Sequence, residues 1–189
     1  MNKFEQAINT LKDGGVILHP TDTVWGIACD PFNENAIAKV QQIKERSQDQ
    51  PFLLMVSSIE VLKEYVDSIH PRVETLLSLH NRPLTIIYPK AKNLKPPLVN
   101  DKGGVAIRIV KSGSCKKLLE AWGGPLLSTS ANVHGDPTPN HFGEISSQVI
   151  RQSDFTFPID KSEKSGKAQA PSAIAKYHPK TGELDFIRE

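Results

Sequence analysis

The sequence predicts an α/β fold in which a mixed β-sheet is flanked by helices. Two observations indicate it. Predicted helices separate most of the predicted strands, and two strand-like segments, residues 172–177 and 184–188, are joined by a turn as a hairpin. Because 189 residues without an internal repeat fit one domain, we expect residues 1–189 to form a single domain.

The first third of the chain is predicted to alternate between helix and strand. Apolar side chains recur at helical spacing over residues 4–11, and two glycines follow them. A strand over residues 16–19 leads into a threonine-rich loop. A second helix, capped by Asn33 or Asn35, turns apolar side chains inward between residues 36 and 43.

The middle of the chain contributes three predicted strands and two helices. Short apolar runs indicate strands at residues 52–56, 84–88 and 105–109. Helical spacing of apolar residues indicates helices around residues 59–66 and 73–79. This alternation supplies most of the expected sheet.

The last third begins with a predicted helix over residues 114–122, stopped by two glycines, and a strand over 126–129. Residues 142–150 are predicted to be helical and residues 155–159 extended. Residues 160–170 are low in apolar side chains and rich in lysine, serine and glycine. We expect them to be a mobile connector or lid.

The composition favours a cytoplasmic protein. The net charge is only +2, and no apolar run approaches the ~20 residues of a membrane span. The first residues lack the apolar stretch of a signal peptide, so no contact with a membrane is predicted. Cys29 and Cys115 are expected to be free, half-buried thiols. The six histidines lack metal-ligand spacing, so no metal site in the protein is predicted.

Two segments rich in hydroxyl and amide side chains directly follow short apolar runs. They read Pro-Thr-Asp-Thr-Val-Trp-Gly at residues 20–26 and Ser-Thr-Ser-Ala-Asn at residues 128–132. Strands that end in such segments deliver polar groups to one sheet edge, where open α/β sheets bind ligands. Two cations, Lys44 and Arg46, lie between them in the sequence. Together these features predict a site for a polar, anionic small molecule, with a nucleotide favoured.

Neither standard phosphate-binding loop is present in the sequence. Arginines with serine, threonine and asparagine donors can neutralise phosphate instead, and Arg46, Arg108 and Arg188 lie at or in regular elements. Covalent catalysis is not predicted, because the serines have no evident histidine and carboxylate partners. Asp22 and Asp136 are candidates for proton transfer or metal contact, or are ordinary turn residues.

These motifs, in this order and spacing, resemble the YrdC/TsaC family of threonylcarbamoyl-AMP synthases. The resemblance rests on segment 20–26, the Lys44-Glu45-Arg46 tripeptide and segment 128–132, and it extends over nearly the whole chain. It implies a twisted, open sheet of the YrdC-like (YrdC/RibB) type with a deep, positively lined groove. Since longer relatives append a C-terminal domain, we expect the short form here, with residues 160–170 closing the site.

The resemblance also implies an activity. L-threonine, bicarbonate and ATP would be combined into threonylcarbamoyl-AMP and pyrophosphate, the first step in making N6-threonylcarbamoyladenosine in tRNA. Mg²⁺ is expected to be bound by the ATP phosphates, so a metal site built from protein side chains is not required. The implied partners are a threonylcarbamoyl transferase complex, bound transiently, and RNA, bound weakly.

The family's functional positions carry over onto this sequence. Lys44 and Arg46 match its paired cations and are expected to face bicarbonate and the ATP phosphates as catalytic residues. The positions expected to bind threonine or bicarbonate are Thr23, Arg108, Ser128 and Ser172. The positions expected to bind the nucleotide, besides the two cations, are Ser130, Asn132, Thr138 and Arg188.

Three positions depart from the family's pattern. Trp25 replaces a common tyrosine and keeps an aromatic wall with a different polar tip. Gln50 replaces a common lysine, which removes one possible phosphate contact. Met55 replaces a histidine that some relatives carry near threonine. These changes bear on substrate affinity more than on the class of reaction.

Two other functions compete with this interpretation. A non-catalytic RNA-binding module would need aromatic platforms for the bases, and only 6% of the residues are aromatic. A carbamoyl-transfer domain like that of hydrogenase-maturation proteins would be accompanied by acylphosphatase and zinc-finger regions, which this sequence lacks.

Overall fold

The computed structural model describes residues 2–45, 52–158 and 171–188. Arg46, Gln50 and the predicted lid at residues 160–170 lie outside the described residues. The helices are α1 (Lys3–Lys12), α2 (Glu34–Lys44), α3 (Ile59–Lys63), α4 (Pro71–Leu79), α5 (Gly113–Trp122) and α6 (Ser147–Gln152). The strands are β1 (Ile17–Pro20), β2 (Trp25–Cys29), β3 (Leu53–Val56), β4 (Leu84–Tyr88), β5 (Val105–Ile109), β6 (Leu126–Ser130), β7 (Phe155–Thr156), β8 (Ala173–His178) and β9 (Glu183–Arg188).

The strands form one sheet in the order β7-β1-β2-β6-β3-β5-β4-β8-β9. The pairs β1–β7, β3–β5 and β4–β8 are parallel, and the remaining neighbours are antiparallel. The predicted α/β class, with a mixed sheet and flanking helices, is therefore confirmed, as is the hairpin of β8 and β9.

Alternate residues of each strand serve opposite faces of the sheet. One face builds a core with α2, α3, α4 and α6 through strand residues that include Leu18, Ile27, Leu54 and Leu127. The opposite face packs against α1 and α5 through strand residues Ile17, Ala28, Met55 and Leu126. These four belong to β1, β2, β3 and β6, so α1 and α5 leave the face of β4, β5 and β8 open.

Strand β2 is an element that the sequence analysis missed. Residues 20–26 were expected to form a loop, but Trp25 already pairs with Pro20 in an antiparallel β1–β2 hairpin. All five residues of β2 are buried, so the strand lacks the polar alternation that marks a half-exposed strand. The true turn contains only residues 21–24.

The predicted helix over residues 142–150 is wrong in detail. A short 3-10 helix spans Phe142–Glu144, and α6 begins afresh after Ser146. The Ser146 hydroxyl accepts a hydrogen bond from the Val149 N–H at 3.3 Å and so caps the new helix. By contrast, the predicted cap Asn33 is confirmed, since its side chain accepts from the Ala36 N–H at 3.1 Å.

Both cysteines are free, as predicted, but they are fully buried and not half-buried. Burial raises the pKa of each thiol, to about 12 for Cys115, so neither is a reactive thiolate near neutral pH. None of the described helices is long and apolar enough to cross a membrane.

Candidate active site

A cavity of about 360 Å³ lies over the open part of the sheet. It is bounded by the β1–β2 turn, by strand residues of the open face, and by segments near residues 138 and 171–172. Seven predicted site residues line it: Thr23, Arg108, Ser128, Ser130, Thr138, Ser172 and Arg188. The fold thus gathers residues from both polar segments and from β5, β8 and β9 into one space.

The floor of this cavity is apolar. Leu53, Ile87, Ala106 and Ile174 stand on the same face of neighbouring strands and line it. Gly26 lies beside this floor and leaves room between Thr21 and Ser128. Hydroxyl groups and two arginines surround an apolar patch, an arrangement that suits a small ligand with an apolar part and an anionic part.

The β1–β2 turn is held by the Thr21 side chain. Its hydroxyl donates to the Val24 carbonyl at 2.7 Å and accepts from the Thr23 N–H at 3.0 Å. These bonds fix the turn and place the Thr23 hydroxyl 3.1 Å from Nη1 of Arg108, which donates to it. Thr21 lies inside the first polar segment, but no pattern in the sequence marks it individually as a site residue.

Arg108 is only 4% exposed, and its guanidinium sits at the wall of the cavity. Its Nη2 donates to the sulfur of Met55 at 3.3 Å and lies 3.1 Å from Oδ1 of Asp22. Burial raises the pKa of Asp22, and the positive charge of Arg108 opposes that shift. Asp22 is therefore more than a turn residue: it is the ion-pair partner of Arg108.

Lys44 ends α2 and is 3% exposed. Its ammonium donates to Oγ and the carbonyl of Ser130 at 3.3 and 2.8 Å, and to Oδ1 of Asn132 at 3.0 Å, with a further bond to the Asn132 carbonyl. These are more acceptors than an ammonium has N–H donors. Lys44 thus ties the end of α2 to the second polar segment. Glu45, which follows it, has φ 49° and ends the helix in the left-handed region.

Asn132 lines a neighbouring cavity of about 360 Å³, and Thr138 lines both cavities. The Asn132 amide donates to the carbonyls of Val133 and Asp136 at 3.0 and 2.7 Å, which fixes the segment that follows. The two cavities are therefore adjacent and share a wall. Arg46, the second predicted cation, lies outside the described residues.

Ser172, directly before β8, contacts Arg188 at the end of β9. Both Nε and Nη2 of Arg188 donate to the Ser172 carbonyl, at 3.0 and 2.7 Å. The Ser172 and Thr85 hydroxyls lie 2.8 Å apart. Thr85 lines the cavity but was missed by the sequence analysis, because only the parallel pairing of β4 with β8 brings it to Ser172.

The structure also places two of the departures from the family's pattern. Trp25 is 8% exposed and packs edge-to-face on Phe142 with ring centroids 5.0 Å apart, in the core on the opposite face of the sheet. The expected aromatic wall is therefore not part of the cavity lining. Met55 is fully buried and reaches the site only through its sulfur, which accepts from Arg108.

His19 lies buried at the end of β1, and neither ring nitrogen has a hydrogen-bond partner among the described residues. Burial is the main reason that its pKa falls to about 4; the Pro20 backbone opposes this shift, and the charge of Arg108 adds a smaller lowering effect. In the unfolded chain its pKa returns to 6.5. Between pH 4 and pH 6.5, His19 therefore binds a proton in the unfolded state but not in the folded one.

We therefore expect His19 to make the fold acid-sensitive. The contribution of neutral His19 to the free energy of unfolding is fully present above pH 6.5. It is lost as the pH falls toward 4, by roughly 3 kcal/mol in total. Chemical denaturation of wild type and His19→Leu across that range measures it, and the variant should lose much less stability. His80→Gln, at the end of α4, serves as the control and should lose as much stability as wild type. Equal acid sensitivity of His19→Leu would refute the assignment.

No cluster of three or more histidine, cysteine, aspartate or glutamate side chains that could hold a metal occurs within residues 2–45, 52–158 and 171–188. An α/β fold with an apolar floor, hydroxyl donors and two arginines on an open sheet face defines a class of protein suited to binding a small ligand with an anionic part.

The chain belongs to the Sua5/YciO/YrdC family, whose model, described as "Telomere recombination", matches residues 9–189. A protein named threonylcarbamoyl-AMP synthase from Xanthomonas euvesicatoria pv. vesicatoria (strain 85-10) is 36% identical over 137 residues, covering 71% of this chain and 73% of that protein. The crystal structure of E. coli YciO matches with TM-score 0.78 and 24% identity over 98% of this chain and 90% of that one. P. abyssi Sua5, crystallised with L-threonine, matches with TM-score 0.80 and 22% identity over 93% of this chain, which spans about half (52%) of that one.

Proposed function

We propose that this protein is a threonylcarbamoyl-AMP synthase, which joins L-threonine, bicarbonate and ATP into threonylcarbamoyl-AMP and releases pyrophosphate. One observation carries the proposal: residues expected to bind threonine and residues expected to bind the nucleotide line the same cavity. The relative at 36% identity is named for this activity, and the P. abyssi neighbour was crystallised with L-threonine. The product would serve the first step of N6-threonylcarbamoyladenosine formation in tRNA.

The threonine end of the proposed site is the part around Arg108. A guanidinium recognises a carboxylate well because its N–H groups match the two oxygens. The hydroxyls of Thr23, Ser128 and Ser172 can then contact the amine and side chain of the substrate, while the apolar floor accepts its methyl group. Each of these residues borders the cavity: Arg108 and Ser128 lie in β5 and β6, Thr23 lies in the β1–β2 turn, and Ser172 directly precedes β8.

The nucleotide end is the part around the second polar segment. Ser130 and Thr138 offer hydroxyl donors to ribose and phosphate, and Arg188 offers positive charge at the cavity wall. Asn132 lines the adjoining cavity of the proposed nucleotide site, where its amide fixes the shape of the segment through Val133 and Asp136. Lys44 and Arg46 complete the proposed set at bicarbonate and the phosphates. Since the Lys44 ammonium is already held by Ser130 and Asn132, we assign its main effect to the shape and charge of that segment.

The chemistry needs no protein nucleophile. The threonine amine forms a C–N bond to the carbon of bicarbonate, and water leaves, which gives a carbamate. A carbamate oxygen then forms a bond to the α-phosphorus of ATP. The bond from that phosphorus to the bridging oxygen breaks, and pyrophosphate leaves with the electron pair. Negative charge develops on phosphate oxygens, so positioned cations and N–H donors lower the barrier, by ~3 kcal/mol for a typical contact. Mg²⁺ bound to the ATP phosphates would supply further positive charge.

The proposal includes the partners and location expected for this activity. In the cytoplasm, the product would be consumed by a threonylcarbamoyl transferase complex that binds transiently, and the protein would contact RNA weakly. We also propose that the groove expected from the resemblance includes the cavity with Arg108 and Arg188 at its wall.

The decisive experiment measures pyrophosphate release from ATP by the purified protein. We expect release only when threonine and bicarbonate are both present, and loss of either should abolish it. ATP binding without threonine-dependent release would point to another acceptor and overturn the proposal. Binding of RNA without binding of ATP would instead favour the RNA-binding module, although no aromatic side chain is among the described residues that line the cavity.

A further inference from the structure

Among the residues that the structure describes, the guanidinium of Arg108 is incompletely satisfied. It carries five N–H donors, and the structure gives well-aligned acceptors to two of them, at Thr23 and Met55. Its Nε is buried without a hydrogen-bond partner among the described residues. Oδ1 of Asp22 is close enough to Nη2 for an ion pair, at 3.1 Å, but is not aligned as a hydrogen bond. A guanidinium in this state keeps donors available for another anion.

Asp22 approaches Arg108 from outside the main cavity. It lines a separate cavity of about 380 Å³, together with Lys111 and the first residues of α5, Gly113 and Ser114. Arg108 lines the main cavity, and Thr21 lines both. The side chains of the pair are 9% and 5% exposed. The ion pair therefore forms part of the wall between the two cavities, with the cation toward the proposed substrate.

We propose that Asp22 is a positioning residue for substrate binding, which holds the Arg108 guanidinium in the orientation that receives the threonine carboxylate. This inference rests on the proposed function. A buried guanidinium needs a counter-charge, and a carboxylate behind it supplies one without entering the substrate cavity. Asp22 thereby lets a cation face the cavity while the pair stays close to neutral before substrate arrives.

The same guanidinium also orients Thr23, because Nη1 donates to its hydroxyl. A shift of Arg108 would therefore disturb two groups of the proposed threonine site together. The nucleotide end is held by different contacts, chiefly those of Lys44 with Ser130 and Asn132. This separation predicts that Asp22 acts on threonine and not on ATP.

The test is steady-state kinetics of pyrophosphate release with Asp22→Asn, which keeps the size of the side chain and removes its charge. We expect KM for threonine to rise about tenfold or more, while KM for ATP and kcat change little. In an Arg108→Gln background the same substitution should have no further effect, because a residue that acts through another loses its influence when that residue is gone. Asp67→Asn is the control, since Asp67 forms an exposed ion pair with Lys90.

The outcomes separate the two proposals. A wild-type protein without threonine-dependent release refutes the proposed function. An active wild type with an unchanged KM for threonine in Asp22→Asn refutes the role of Asp22 alone, as do equal effects on both substrates or additive effects with Arg108→Gln. If Asp22→Asn does not fold, Asp22→Glu keeps the charge but displaces it. Its KM for threonine should also rise at nearly constant kcat, and an unchanged value would overturn the inference.

Discussion

Replacing Lys44 with methionine is expected to reduce kcat/KM for pyrophosphate release by about 100-fold or more. The ammonium binds both Ser130 and Asn132, and these residues stand at the proposed nucleotide end of the site. Methionine keeps the length of the side chain but donates no hydrogen bond, so the second polar segment loses its side-chain bonds to α2, while the His134 N–H still donates to the Lys44 carbonyl. Kinetics with ATP varied at saturating threonine measures the loss.

The same substitution should also destabilise the fold. Carbonyl groups that accept from Lys44 would lose their donor in a part-buried setting, at a cost of about 3 kcal/mol in the free energy of unfolding. From the motif alone, the variant would be expected to fold normally, so the structure adds this consequence. Lys39→Met on the same helix is the matched control, because Lys39 makes a half-exposed ion pair with Asp154 at 2.5 Å. Full activity of Lys44→Met would refute the role of the ammonium.

The helices were the more predictable part of the fold. In α2, the Asn33 cap and the inward side chains Ala36, Ile37, Val40 and Ile43 follow directly from capping chemistry and helical spacing. Local rules suffice for a helix because the residues that determine it lie within a few positions of one another. They did not identify strand β2, because this strand is buried on both faces and its Gly26 favours a loop when only neighbouring residues are considered.

The residue types of the candidate site were predictable, but the contacts between its residues were not. The two segments of hydroxyl and amide side chains that follow apolar runs predicted which parts of the chain would contribute to the site. The contact between Thr85 and Ser172, by contrast, depends on β4 lying beside β8, which no local pattern encodes. The ion pair of Asp22 and Arg108 likewise joins a turn to a strand distant in sequence. Long-range strand order decides such contacts.

Gly26→Val is expected to abolish threonine-dependent activity while leaving a folded protein. A Cβ at this position would lie 3.1 Å from both Ser128 Oγ and the Thr129 carbonyl, and 3.3 Å from the Thr21 methyl carbon. The branched methyl groups would then project among the hydroxyls that border the cavity. Valine favours strands, so β2 should persist with an overpacking cost of about 1–3 kcal/mol.

A graded series makes this prediction sharper. Gly26→Ala requires its neighbours to move by only a few tenths of an ångström, so it should raise KM for threonine less than valine does. Gly124→Val is the control, since a Cβ there would meet Trp122 at an ordinary contact distance of 3.5 Å. Calorimetric titration with threonine measures binding directly, and thermal unfolding separates a blocked cavity from a lost fold. If Gly26→Val binds threonine as wild type does, the substrate does not occupy the space beside Ser128, and the threonine end of the proposed site must lie elsewhere.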